Sequence, residues 1–559
     1  MALTLAIAAC SPAETGTPTD GTQANGTQAD GTATTSAPSS TDSGSRQCVR
    51  PTTSTATVST GSVATDALFL SGEIFVCADD VVVVGESDVN QVAAGAQLAA
   101  ALGGPLLFPH PQLAAEIGRL KPLHVYILGD VEVTLPPGSE VSRLGMTESV
   151  DAARTALGVI EELRLPANPD ASTIIETVNA ISDATRVVIP QTAPGDTTGS
   201  PPPTFDQATI VSGLAVPTEA PTIWLVNASD PVGILMAAAT GQAVGARVMS
   251  TDTADILGYP EVGTALGGRG AEALRFVGAA PETGAWELAV LLNGRQLPGG
   301  GYSILGEEQP KRYVAFYGHP ETSALGVLGE QGPQETLDRM ASYVESYNAD
   351  GHLAIPTFEM MATVAAADIT DGDYSFEWPV STFTEWIEIA AEQGAYVILD
   401  LQPGRDDFLT QAQEYEELLL HPHVGLALDP EWRLKPDEVH LEQIGRVDAA
   451  EVNLVVDWLA DLVRDNGLPQ KMIIVHQFRE FMIENRATLK QRPELQMVLQ
   501  MDGQGPIATK DQTWAVLTAG TENDHWRWGW KNFFDEDTPT PSPEHTMGKV
   551  PVPVFVSYQ

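Results

Sequence analysis

The stretch "VGLALDPEW" (424–432) decides how the second half of this chain folds: a short run without polar residues stops at two carboxylates, Asp429 and Glu431, set two positions apart. A strand buried on both faces reads as such a run, and polar groups appear where it emerges from the core. The pattern recurs in "RYVAFYGHP" (312–320), "LAIPTFEMM" (353–361), "AYVILDLQPG" (395–404), "KMIIVHQF" (471–478), "LQMVLQMDG" (495–503), "WGWKNFFDED" (528–537) and "VPVFVSYQ" (552–559). With "VGLALDPEW" that makes eight candidate strands in about 250 residues, the size and count of a TIM (β/α)8 barrel, expected over 306–559. Helical patterns or stops lie between them in "FTEWIEIAAEQG" (383–394), "DAAEVNLVVDWLADLVRDNG" (448–467) and "TLKQRPE" (488–494). An open α/β sheet is the alternative, and the lack of an obvious switch point in strand order favours closure.

Barrel strands present active-site groups at their carboxyl ends, where the βα-loops converge. The eight ends here carry Tyr317 and His319, Glu359, Asp400 and Gln402, Asp429 and Glu431, His476, Asp502, Lys531 and Asp535, and Tyr558. Residues two apart in a strand share a face, so Asp429 and Glu431 are expected to point together at the barrel mouth, roughly 7 Å apart along the chain. Neighbouring carboxylates resist joint ionisation, and one kept protonated near neutral pH can protonate a leaving-group oxygen. A competing reading makes Asp-Pro-Glu a helix start, with Asp429 as N-cap and Pro430 in the first turn; Pro436 would then hold that helix to about one turn.

The first half has another rhythm. "VVVVGESDVNQVAAGAQLAAALGGPLLF" (81–108) aligns without a gap to "IWLVNASDPVGILMAAATGQAVGARVMS" (223–250), an offset of 142 (223 against 81). Each copy continues into a helical stretch and a further strand, "HVYILGD" (124–130) and "LRFVGAA" (274–280). Apolar strands alternating with Ala-rich helices indicate parallel, flavodoxin-like βαβ units, duplicated within 61–296, with copies near 68–145 and 222–285. Between the copies lie helical patterns at 151–164 ("DAARTALGVIEELR") and 173–182, the strand "RVVIP" (186–190) and a Pro/Gly/Thr-rich loop at about 191–221. The Ala-rich helix, "LGGPLLF" and "HVYILGD" resemble the cell wall-binding repeat type 2 of Gram-positive bacteria, and that resemblance implies non-covalent attachment to an anionic wall polymer. A plain scaffold role is the alternative. A single glycine ends the strand at 81–85, so the G-x-G-x-x-G that brings a backbone against a pyrophosphate is missing and no dinucleotide is expected.

Acidic residues outnumber basic ones 74 to 29, a net charge of −45 that excludes nucleic acid and anionic lipid as docking partners, because phosphate neutralisation needs Lys and Arg. At 559 residues, length alone would allow about three or four domains of roughly 150 residues, and a large barrel lowers that number. The opening "MALTLAIAAC" resembles the lipobox of bacterial lipoproteins, which implies that Cys10 is lipidated and that the only membrane contact is the lipid anchor. Residues 11–60 are dense in Thr, Ser, Gly, Asp and Pro, the composition of a disordered tether, so the folded part is expected to be exported and displayed at the cell surface. Cys48 and Cys77 remain as an even pair for a disulfide in an oxidising compartment, or as two unpaired thiols.

The Asp429-x-Glu431 pair at a fourth strand end is similar to the end of the motif of chitinase-type family 18 glycoside hydrolases and to the Asp-x-Glu of family 25 muramidases. The resemblance implies that Glu431 is the general acid and Asp429 its support, acting on a cell-wall or environmental polysaccharide with no cofactor. This chain departs from the family 18 pattern at Gly425 and Ala427, which hold no carboxylates, and at Pro430 between the pair. A second carboxylate is expected from the seventh strand, where "FFDED" offers Asp535, Glu536 and Asp537, and Trp378, Trp432, Trp526, Trp528 and Trp530 are candidates for stacking on sugar rings. One alternative is a metal-dependent hydrolase using the carboxylates with His319 and His476, although no H-x-H, H-E-x-x-H or C-x-x-C spacing occurs and no metal is expected. The absence of G-x-S-x-G removes the serine-hydrolase elbow. The other alternative is a surface protein that binds glycans without cleaving them.

Overall fold

In a computed structural model, residues 47–50 and 58–559 are described, apart from 136, 159–160, 167–168, 170, 183–186, 191–221, 228, 252–255, 267–268, 270–272, 279–283, 307–308, 368–371 and 521–524. Cys10, nearly all of the tether and the 191–221 loop fall outside the described residues.

The two α/β copies share one topology. Strand Asp80–Val84 lies between Leu106–Leu107 and His124–Leu128, extended on its far side by Glu140–Leu144; strand Ile223–Asn227 lies between Arg247–Thr251 and Leu274–Val277. All these pairings are parallel. Helices Val89–Leu102 and Pro231–Gln242 make the crossovers, N-capped by Asp88 and Asp230. They are buried nearly all round, which their Ala content permits because small side chains let helix and sheet approach closely. The segment 151–164 is not one helix. Helix Met146–Leu157 ends at Gly158, whose φ of 65° is a left-handed cap, and Glu162–Leu165 turns into a strand parallel to Val187–Pro190. An antiparallel pair, Gln47–Val49 with Phe75–Ala78, sets Cys48 opposite Cys77.

The second half is a closed parallel barrel of eight strands, formed in chain order by Lys311–Gly318, Leu353–Met361, Tyr396–Leu401, Val424–Leu428, Lys471–Gln477, Leu495–Met501, Arg527–Asn532 and Phe555–Tyr558. Helices Thr384–Gln393 and Ala449–Asp465 occupy the expected segments. The segment 488–494 instead follows a single 3-10 turn at Arg486–Thr488 and runs on without a helix.

Alternation along the strands divides the barrel into two apolar sets. The inward set, including Tyr313, Ala315, Ile355, Ile398, Ala427, Ile474, Val498 and Phe555, fills the floor, with Leu297 and Ile304 of the linker packed against it from below. Tyr313 donates to the Ile304 carbonyl (2.8 Å) and helps hold that plug. The outward set, including Phe316, Trp528, Trp530 and Tyr558, packs in a common core with the surrounding helices and with the second α/β copy. Trp286 donates to the carbonyl of Leu468 at 2.9 Å, so the α/β half and the barrel share an interior. No helix among the described residues is long and apolar enough to cross a membrane.

Candidate functional site

Counting in twos from the inward floor residues explains what converges at the carboxyl end. Ala315 leads to Tyr317, Ile398 to Asp400 and Gln402, Ala427 to Asp429, and Ile474 to His476; one layer further, Ile355 leads to Glu359 and Val498 to Asp502. Lys531 follows Gly529 by the same step. All of these side chains are buried, and above them opens a cleft of about 530 Å³ lined by Tyr317, Gln402, Asp429, Glu431, Asp502 and Lys531 among others.

His476 is the centre of the polar layer. Its Nδ1 lies 3.1 Å from Asp502 Oδ2 and its Nε2 3.2 Å from Glu359 Oε1, with Asp400 Oδ1 3.9 Å away. Burial opposes a charge on this ring, but Asp400, Asp502, Glu359 and Asp429 together outweigh it and hold the imidazole well above its ordinary pKa. This favours the protonated ring, which can donate from both nitrogens. Tyr317 donates to Asp400 Oδ2 at 2.7 Å, and the Lys531 ammonium sits 3.4 Å from the centre of the Tyr317 ring. Gln402 reaches the Tyr317 hydroxyl with its amide nitrogen (3.4 Å) and accepts from the Ala365 backbone (2.9 Å).

Asp429 and Glu431 combine both sequence readings. Pro430–Trp432 is a one-turn 3-10 helix, and Asp429 caps it by accepting from the Glu431 backbone N–H at 3.3 Å. The same Asp429 is buried in the polar layer, while Glu431 lines the cleft. Burial, then the neighbouring Glu431, raises Asp429 well above the carboxylate range. Burial and then Asp502 push Glu431 up to about 7, against the pull of Lys531 and His476. Asp400 is also raised, first by burial. Five carboxyl groups thus face two cations, and the layer accommodates the imbalance by keeping protons on some of the acids. Asp429, His476 and Asp502 offer atoms within 4.8 Å of one another, a spacing open to a metal ion. Both His476 nitrogens already engage carboxylates, so the trio fits an ion-pair clamp better than a metal ligand set.

Asp535, Asp537, Tyr558 and His319 are not brought to the cleft. Asp535 is exposed on the turn after the seventh strand and does not line the cleft; its neighbour Glu536 does. Asp537 is buried in an ion pair with Lys510 (2.7 Å). Tyr558 sits one residue out of step with the inward positions, so its hydroxyl meets that of Tyr347 at 2.8 Å behind the barrel wall, while Ser557 points inward to Gln500 (2.7 Å). His319 accepts from the Glu321 N–H at 3.1 Å, lies 4.2 Å from the Trp378 ring, and is pushed down to about 4 by burial. Among the five tryptophans only Trp432 lines the cleft; Trp528 and Trp530 pack on Trp514 outside the barrel. Sequence reasoning missed Lys510, whose ammonium holds both Asp537 and the Lys531 carbonyl (2.7 Å each), and the cleft residues His440 and Leu441. A lysine inside a helix and a loop leucine carry no local signal for either place.

No family model matches the chain, and no curated protein matches it. Among solved structures, Cwp6 from Clostridium difficile aligns at 13% identity over 65% of this chain and 65% of that one, with a TM-score of 0.34. Cwp8 from the same organism aligns at 15% identity over 43% of this chain and 52% of that one, with a TM-score of 0.33. The chain thus spans just under two thirds of the first and about half of the second.

Proposed function

We propose that the barrel hydrolyses glycosidic bonds in a cell-wall or environmental polysaccharide, with Glu431 as general acid and Asp429 as its support. The observation that carries this reading is a cleft-lining carboxylic acid whose pKa of about 7 lets it hold a proton where a leaving oxygen needs one. Asp502, on the next strand but one, takes the part that the sequence pattern gave to Asp535. His476 and Lys531 place positive charge behind the acids, and on Glu431 their pull is outweighed by burial and by the neighbouring Asp502.

The duplicated α/β half is assigned to wall-polymer binding on its repeat resemblance, and the chain to the cell surface through a lipid on Cys10. The opposed positions of Cys48 and Cys77 support a disulfide that ties the end of the tether to the first α/β copy. The test is reducing-end release by the full chain from peptidoglycan, chitin, cellulose and xylan, compared with Glu431→Gln. Binding without cleavage by the wild type on every substrate would favour a glycan-binding surface protein instead.

A further inference from the structure

We propose that the loop at 433–446 is a saccharide-seating element, with Trp432 and Leu441 as the contacts for the apolar face of a pyranose ring next to Glu431. This deepens the glycoside hydrolase reading and rests on it for the class of ligand. The first observation is Leu441 itself. It is 75% exposed, lines the cleft, and adopts φ 63°, a left-handed backbone that a γ-branched residue without a polar side chain gains nothing locally by adopting. Strain of this kind, held by surrounding structure at a cleft, points to use of the side chain it presents. The second observation is the Trp432–His440 stack, with ring centres 5.1 Å apart and planes 19° from parallel, which spans the loop and brings both rings to the cleft lining.

The third observation ties this element to the acid. The Gly445 N–H donates to the Glu431 carbonyl at 2.7 Å, and a Cβ at Gly445 would stand 2.5–2.6 Å from the carbonyl oxygens of Arg433, Glu431 and Pro430. The end of the loop is therefore laid directly on the turn that carries Glu431. Arg405 fastens the other side by donating to the Glu438 carbonyl from Nε (3.1 Å) and a terminal nitrogen (2.7 Å). A flat aromatic ring and an aliphatic side chain lining the same cleft as Glu431 suit a sugar ring, whose faces present C–H groups while its glycosidic oxygen lies at the edge.

The left-handed backbone gives a test that separates folding from binding. Leu441→Gly and Leu441→Asn both suit that conformation, so the full-length variants should keep or raise the wild-type Tm while losing the contact. Chitohexaose, cellohexaose and xylohexaose serve as probes, with calorimetry and Trp fluorescence as readouts. The proposal expects the best-bound hexasaccharide to bind at least fivefold more weakly to Leu441→Gly, Leu441→Asn and Trp432→Ala. Leu454→Ala, on the outer helix Ala449–Asp465, should bind as wild type. Unchanged affinity in both Leu441 variants, or no binding of any of the three probes to the wild type, overturns it. Tight binding that depends on Leu441, with no cleavage in wild type, upholds the seating role and refutes the acid role of Glu431.

Discussion

Replacing Glu431 should change the pH profile in a way that only a proton donor produces. Its pKa lies at about 7 against an ordinary 4.5. At pH 7 about half of the molecules carry the proton, whereas a carboxyl at 4.5 would be protonated in only about 0.3%, so its environment increases the active acid form by roughly 150-fold. Wild-type kcat/KM on a natural glycan should therefore fall along an alkaline limb centred near pH 7. Asp502 is, after burial, the main influence raising this pKa, so Asp502→Asn should move that limb to lower pH; losing a negative neighbour makes the remaining proton easier to release. Glu431→Gln should lose about 10²- to 10⁴-fold in kcat on substrates with poor leaving groups and far less on an activated aryl glycoside, which needs little protonation. Full pH–rate profiles on both substrate types are the assay. A limb that stays in place in both variants, or Glu431→Gln with more than a tenth of wild-type rate on the natural glycan, refutes the acid assignment.

The same shift bears on stability. A carboxyl whose folded pKa exceeds its unfolded value favours the fold below about 4.5 and loses that advantage as pH rises through about 7, so Glu431→Gln should exceed wild type by roughly 3 kcal/mol in urea unfolding at pH 8 and match it at pH 4. Lys510→Met should cost about 3–5 kcal/mol by stranding the buried Asp537, and adding Asp537→Asn should recover part of the loss. In protein from an exporting host, mass spectrometry should find lipid on Cys10 and a bond between Cys48 and Cys77; free thiols at both of the latter would refute the pairing.

The eight barrel strands were legible because a strand buried on both faces must be a short apolar run, and such runs end where polar residues begin. The duplicated α/β units were legible for the same reason, supported by Ala-rich crossover helices. The polar strand ends were expected to converge, and Tyr317, Glu359, Asp400, Gln402, Asp429, Glu431, His476, Asp502 and Lys531 do come together at the carboxyl end of the barrel. What the sequence could not decide was which of two adjacent residues faces inward once a strand gives way to a turn. That depends on strand register and on the path of each loop, and it sends Tyr558 behind the wall, leaves Asp535 in solvent and brings Glu536 to the cleft. It also raises the pKa of His476, through carboxylates from three other strands that lie more than twenty residues away in sequence and come within about 4 Å only when the barrel closes.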